Sequence, residues 1–180
     1  MKIDIWSDFI CPHCYIGKRR LFKAINNLDK GSEVEITWHS FQLDPLMDVD
    51  NSLKYVDYLV QKKGLNTDLI QLNMDKVTFQ AKKDDLVFNF EKSIPSNTLF
   101  AHQALHYAQK LGKGTEVKEA IFKMFFTDQK NISNKETLLS IVSTELGVKI
   151  DPSSIFNDTS IDHSVSNDAA LAQEIGIKSV

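Results

Sequence analysis

A strand, a helix and a second strand follow one another within the first 40 residues, and the only two cysteines, Cys11 and Cys14, fall where the first strand gives way to the helix. Residues 2–6 (KIDIW) alternate polar and apolar side chains, the period of a half-buried strand. Residues 14–29 carry helical spacing, with Leu21, Ile25 and Leu28 on one side and Lys18, Arg19 and Arg20 filling the other. Gly31 is the expected stop. Residues 33–39 (EVEITWH) alternate again and put Val34, Ile36 and Trp38 on one face. A crossover of that length makes the two strands parallel, with a right-handed connection.

From residue 52 the pattern turns helical. Ser52 is placed to cap a helix ending at Gly64, and Thr67 one that reaches about residue 82. Leu86, Phe88 and Phe90, at period two, form a short extended piece or a packed loop before Pro95. Further helices are expected from Asn97 to Leu111, over 115–127, from the Ser133/Glu136 capping box to Leu146, and over 162–174, with a short turn at Asp151-Pro152. Phe122, Met124, Phe125 and Phe126 read as core.

Spacing leaves two readings of Cys11-Pro12-His13-Cys14: redox chemistry, or half of a metal site. Zinc needs two more ligands, from His39, His102, His106, His163 or a second chain. There is no second C-x-x-C or tightly spaced histidine pair, and AHQALH at 101–106 lacks the glutamate of a metalloprotease motif. No metal and no cofactor is therefore expected. For redox work the placement is apt. Cys11 at the N-cap meets free N–H groups and the positive end of the helix dipole, which stabilise a thiolate. Pro12 suits the first helical position, and His13 adds positive charge when protonated. Cys14, one turn inside, is expected to be more buried and to titrate higher.

With a net charge of -3 and pI near 5.9, no global field draws nucleic acid or an anionic membrane. No apolar run reaches the ~18 residues of a membrane span. The first residues, with two aspartates, do not read as a signal peptide, so a cytoplasmic location is expected. The expected partners are protein or small-molecule thiols and disulfides.

The segment SDFICPHCYIGK at 7–18 resembles the active-site segment of the DsbA family of thioredoxin-like proteins, most of all its cytoplasmic FrnE-like branch, whose members also carry a 2-hydroxychromene-2-carboxylate isomerase-like description. The likeness continues through WHSFQLDP at 38–45, FNFEKSIPSNTLFAHQALHYA at 88–108 and NDAALAQEIGIKSV at 167–180. It implies an α/β, thioredoxin-like fold with an inserted all-helical domain: residues 1–50 thioredoxin-like, 51–160 helical insertion, 161–180 a return to the first part. In the family a segment like GIKSV leads to a cis-proline, two strands and a helix, and these C-terminal elements are absent from this chain. Residues 177–180 are expected to begin a strand beside residues 2–6, leaving an edge that a homodimer would cover. The resemblance also implies disulfide oxidoreductase activity through Cys11 and Cys14, and places Asp8 and Asn97 near the site as substrate or proton-relay neighbours. The alternatives are a glutathione-dependent isomerase or transferase of the same superfamily, whose members usually have serine where Cys11 stands, and a redox-sensing or metal-clipping adaptor.

Overall fold

The computed structural model describes residues 1–28, 33–49, 52–64 and 66–180. Strand β1 (Lys2–Ser7) leads to helix α1 (Pro12–Asn26) and strand β2 (Glu35–Ser40). The two strands pair in parallel, Ile3 beside Ile36, Ile5 beside Trp38 and Ser7 beside Ser40. Six helices follow: α2 (Tyr55–Lys63), α3 (Thr67–Lys83), α4 (Leu99–Lys110), α5 (Gly114–Phe126), α6 (Lys135–Leu146) and the short α7 (Ser153–Phe156). Helix α8 (Thr159–Glu174) returns to the sheet and packs against β2 and α4. This is a thioredoxin-like core with a two-stranded open sheet, carrying a large all-helical region between β2 and α8.

The core lies where α4 and α5 meet α1 and the sheet. Phe9, Phe122, Phe125, Phe126, Ile121 and Leu105 are fully buried. The Tyr15 ring stacks on Phe122 with centroids 4.8 Å apart. The Phe122–Phe126 group is core, as helical spacing indicates. Leu86, Phe88 and Phe90 are buried in a packed loop rather than a strand.

Several local expectations are corrected. The buried face of α1 is Tyr15, Ile16, Lys18 and Ile25, while Leu28 is exposed. Lys18 leaves the solvent face because Glu119 on α5 accepts from its Nζ at 2.5 Å, from Arg19 at 2.7 Å and from the Tyr15 hydroxyl at 2.8 Å. Helix α2 begins after Lys54, not at Ser52. Asn66 rather than Thr67 caps α3, accepting from the Leu69 N–H, and Asn134 rather than Ser133 caps α6, accepting from the Thr137 N–H. In each case an asparagine beside the expected residue makes the bond, and asparagine ranks with the best caps. The Ser133 hydroxyl instead donates to Asn131 and Val49. The expected stop at Gly31 lies outside the described residues. Residues 177–180 do not form a strand. The Ile177 N–H bonds back to the Ala172 carbonyl at 2.8 Å as part of the α8 cap, and the segment then runs toward the cysteines.

Side chains occupy the outer edge of β2. The Gln109 amide on α4 accepts from the Trp38 N–H and donates to the Trp38 carbonyl, both at 2.9 Å, as a neighbouring strand would. Gly114 makes room for it: a Cβ there would stand 2.3 Å from Gln109 Cγ. Two residues on, the Ser40 N–H donates to Asp168 Oδ2 on α8 at 2.6 Å. Asp168 also meets His39 Nδ1 at 2.6 Å and His106 Nε2 at 3.0 Å, and His39 Nε2 meets Asp4 at 2.8 Å. The Trp6 ring stacks on His39 at 4.2 Å. Because Gln109 satisfies two backbone groups of a buried residue, Gln109→Ala should cost about 1–3 kcal/mol. A urea melt of the variant checks this, and a midpoint unchanged from the parent would contradict it.

Candidate active site

Strand β1 delivers the chain to a tight loop, and the loop sets Cys11 at the head of α1. The Cys11 N–H bonds to the Asp8 carbonyl at 3.2 Å, and the Cys14 N–H bonds to the Cys11 carbonyl at 3.1 Å. Cys11 is the N-cap residue, with φ -89° and ψ 110°, and Pro12 follows at the first helical position. The Tyr55 hydroxyl on α2 donates to the Ile10 carbonyl at 2.9 Å, fixing the loop from the helical side. Both thiols are free.

The order of burial differs from expectation. Cys11 is buried, only 4% exposed, while Cys14 is half-buried. The Cys11 thiol donates to the Val180 carbonyl at 3.5 Å, and that contact contributes to the cover. The order of acidity is nevertheless the expected one. A hydrogen bond from the Cys14 thiol lowers Cys11, opposed by burial and the Asp8 charge, and helped by the backbone N–H groups of Cys14 and His13. The same bond raises Cys14, and burial and the Cys11 charge raise it further. Of the two thiols, Cys11 is the one that ionises first. His13 acts on the thiolate through its backbone N–H, and its side chain is exposed.

Asp8 is fully buried. Its carboxylate accepts from the Phe9 and Leu43 N–H groups, each at 2.7 Å, and lies 3.3 Å from His102 Nε2. Burial lowers His102, outweighing the neighbouring Asp8 carboxylate. Asn97 makes no bond to either cysteine. It accepts from Gln42 at 3.0 Å and from the Leu99 N–H at 2.9 Å, and donates to the Pro45 and Met47 carbonyls at 3.1 and 2.9 Å. Asp8 and Asn97 thus hold the same loop after β2, Asp8 from the active-site side. A cavity of about 310 Å³ opens beside Pro12 and His13, walled by Tyr55, Leu59, Met74 and Phe90 among others.

Two residues that sequence reasoning passed over stand close by. Tyr55 senses the Cys11 charge, and burial raises its phenol. Lys118 on α5 is fully buried, and its charge acts on Cys14. A signal for Lys118 was present: it lies three, four and seven residues before Ile121, Phe122 and Phe125, on the apolar face of α5.

Comparison with known proteins agrees with this geometry. The sequence profile of the DSBA-like thioredoxin domain matches residues 2–180. The uncharacterized protein YwbO of Bacillus subtilis (strain 168) is 26% identical over 159 residues, which span 82% of this chain and 67% of that protein. A probable DsbA oxidoreductase from Streptomyces coelicolor superposes with a TM-score of 0.85 at 26% identity, over 100% of this chain and 78% of the other. The cytosolic disulfide reductase DsbM from Pseudomonas aeruginosa superposes with a TM-score of 0.64 at 15% identity, over 99% of this chain and 81% of its own, a likeness of fold alone.

Proposed function

The chain belongs to the family of DSBA-like thioredoxin domains, and from that premise we propose that Cys11 is the attacking thiolate and Cys14 the resolving thiol of a cytoplasmic, FrnE-like member. The enzyme class is a DsbA-like thiol–disulfide oxidoreductase. One observation carries the assignment of roles: Cys11 stands at the N-cap of α1, ahead of Pro12, with Cys14 a turn inside the helix; the lowering of the Cys11 thiol and the raising of Cys14 agree with it. The cytoplasmic reading rests on cysteine usage, since both cysteines are spent in one C-x-x-C and none is left for a stabilising bridge. Among the described residues no helix is long and apolar enough to cross a membrane.

Acting as a reductant, the Cys11 thiolate attacks one sulfur of a substrate disulfide. The Cys11–substrate bond forms, and the other substrate sulfur leaves as a thiolate. Cys14 then loses its proton and attacks Cys11 Sγ. The Cys11–Cys14 disulfide forms, the second substrate thiolate leaves, and two electrons have passed to the substrate. Oxidation of a dithiol runs the same steps in reverse. Pro12 fixes the helix entry, and His13 contributes its N–H. Asp8 and Asn97 shape the neighbouring loop that a substrate would meet.

Trapping tests the roles. Mixing the reduced Cys14→Ser variant with a disulfide-bonded peptide should leave the peptide covalently on Cys11, seen by intact mass and peptide mapping. The reduced parent chain should release it and end as the internal disulfide. Failure of the variant to form any adduct at Cys11 would contradict the assignment.

A further inference from the structure

Two cavities share a wall near the head of α1. The one of about 310 Å³ beside Pro12 and His13 is walled mainly by apolar side chains, Leu59 of α2 and Ile70 and Val77 of α3 among them. A second, of about 560 Å³, continues from it, and the buried side chains of Met74 and Phe90 line both. Both volumes fall within the roughly 300–1,000 Å³ of ligand sites. The second lining is acidic. Asp57 of α2, Asp75 of α3 and Glu91 face Lys54, their only counter-charge among the described lining residues. All three carboxylates are exposed. Among the described residues the Asp57, Glu91 and Lys54 side chains enter no ion pair or hydrogen bond, and Asp75 accepts from the Gln71 amide at one oxygen, at 2.9 Å. The shared wall is fixed to the active-site loop. Phe90 rests against Tyr55, ring centres 5.0 Å apart, and the Tyr55 hydroxyl holds the Ile10 carbonyl next to Cys11.

We propose that the two cavities form one substrate groove, which takes a disulfide-bonded peptide with an apolar side chain beside its cysteine and a lysine or arginine a few residues away. The inference rests on the assignment of Cys11 as the attacking sulfur and names the substrate class of that site. A peptide sulfur bonded to Cys11 stands at the head of α1, next to Pro12 and His13. The apolar side chain beside that sulfur enters the nearer cavity and leaves water there. The peptide then passes Met74 and Phe90 and brings its next side chains over Asp57, Asp75 and Glu91. Charge complementarity selects the occupant of this second half, since solvated carboxylates in excess attract a cation and repel an acidic peptide. Glutathione disulfide has neither feature. Its halves carry more carboxylate than amine and offer no bulky apolar side chain.

Loading of Cys11 is followed in the reduced Cys14→Ser chain, with peptides whose single cysteine is held as a mixed disulfide with a chromogenic thiol. The Cys11 thiolate attacks the peptide sulfur, the Cys11–peptide bond forms, and the chromogenic thiolate leaves and is measured. At low ionic strength a peptide with leucine beside the cysteine and lysines further along should load about tenfold faster than its glutamate counterpart. It should also load about tenfold faster than a peptide with serine in place of the leucine. Salt at about 0.5 M should shrink the lysine preference to within about twofold and leave the leucine preference standing. The Asp57→Asn/Asp75→Asn/Glu91→Gln chain should lose the lysine preference to the same extent at low salt. The salt series reads the same charges in a chain without these substitutions, so it stands even where the triple variant fails to fold. Equal loading of lysine and glutamate peptides at low salt, a lysine preference that survives salt or the triple substitution, equal loading of leucine and serine peptides, or glutathione disulfide loading faster than every peptide would overturn the proposal. No loading of Cys11 by any of these disulfides would instead overturn the roles of the cysteines.

Discussion

Cys11→Ser is expected to lower the rate of disulfide exchange by more than about a thousandfold, because a hydroxyl at this position does not ionise near neutral pH and cannot form the mixed disulfide. Cys14→Ser should behave differently, keeping the first step and losing the second. Both variants should keep the fold, since serine is close in size and neither sulfur is bonded to another. The measurement is stopped-flow reduction of a fluorescent disulfide peptide, with near-ultraviolet circular dichroism as the check on packing. Residual exchange in Cys11→Ser within tenfold of the parent would place the reacting sulfur elsewhere.

The largest effect on stability is expected at Asp168. Its carboxylate ties α8 to β2 and α4 through His39, His106 and the Ser40 N–H, and it is 8% exposed. Asp168→Ala leaves the Ser40 N–H and His39 Nδ1 without their partner, while His39 Nε2 keeps Asp4 and His106 Nε2 keeps the Ser40 hydroxyl; breaking such a buried ionic group costs about 3–5 kcal/mol. That is a large part of the 5–15 kcal/mol a domain has. The pH dependence has a definite sign. Burial works to raise the Asp168 carboxyl, but His106, His39 and the Ser40 N–H outweigh it and hold it below the ordinary range. Its contribution is therefore present above the unfolded carboxylate range and lost as pH falls through the depressed folded value. For His39, burial opposes the charge, yet Asp168 and Asp4 raise it. That contribution is complete below the ordinary histidine range and lost as pH rises through the raised value. The cluster should thus stabilise most between roughly pH 4 and 6.5. Urea melts across pH should show the gap between parent and Asp168→Ala widest there, and a constant gap would contradict the linkage.

The features legible in the sequence are the local ones. Alternation over residues 2–6 and 33–39 marks the two strands, and the 16-residue helical pattern between them requires that they be parallel. The C-x-x-C falls at the strand-to-helix junction, so its position at an N-cap follows from the helix boundary alone. Lys18 was misplaced because a charged residue on a helix is ordinarily solvated, and only the packing of α5 on α1 brings Glu119 to it. The depth of Cys11 is likewise tertiary, since it depends on segments far along the chain such as Val180. The Gln109 contact with Trp38 spans 71 residues and has no local signature at all.

Thiol alkylation against pH reads the acidity of each cysteine separately. Each cysteine of the reduced chain is followed separately by peptide mapping after brief exposure to iodoacetamide between pH 4 and 10. Cys11 should become reactive well below the free-thiol value of ~8.5, with Cys14 still unlabelled at the top of the range. Parallel titration of the two cysteines, or a Cys11 midpoint at or above the free-thiol value, would contradict a thiolate held at the head of α1.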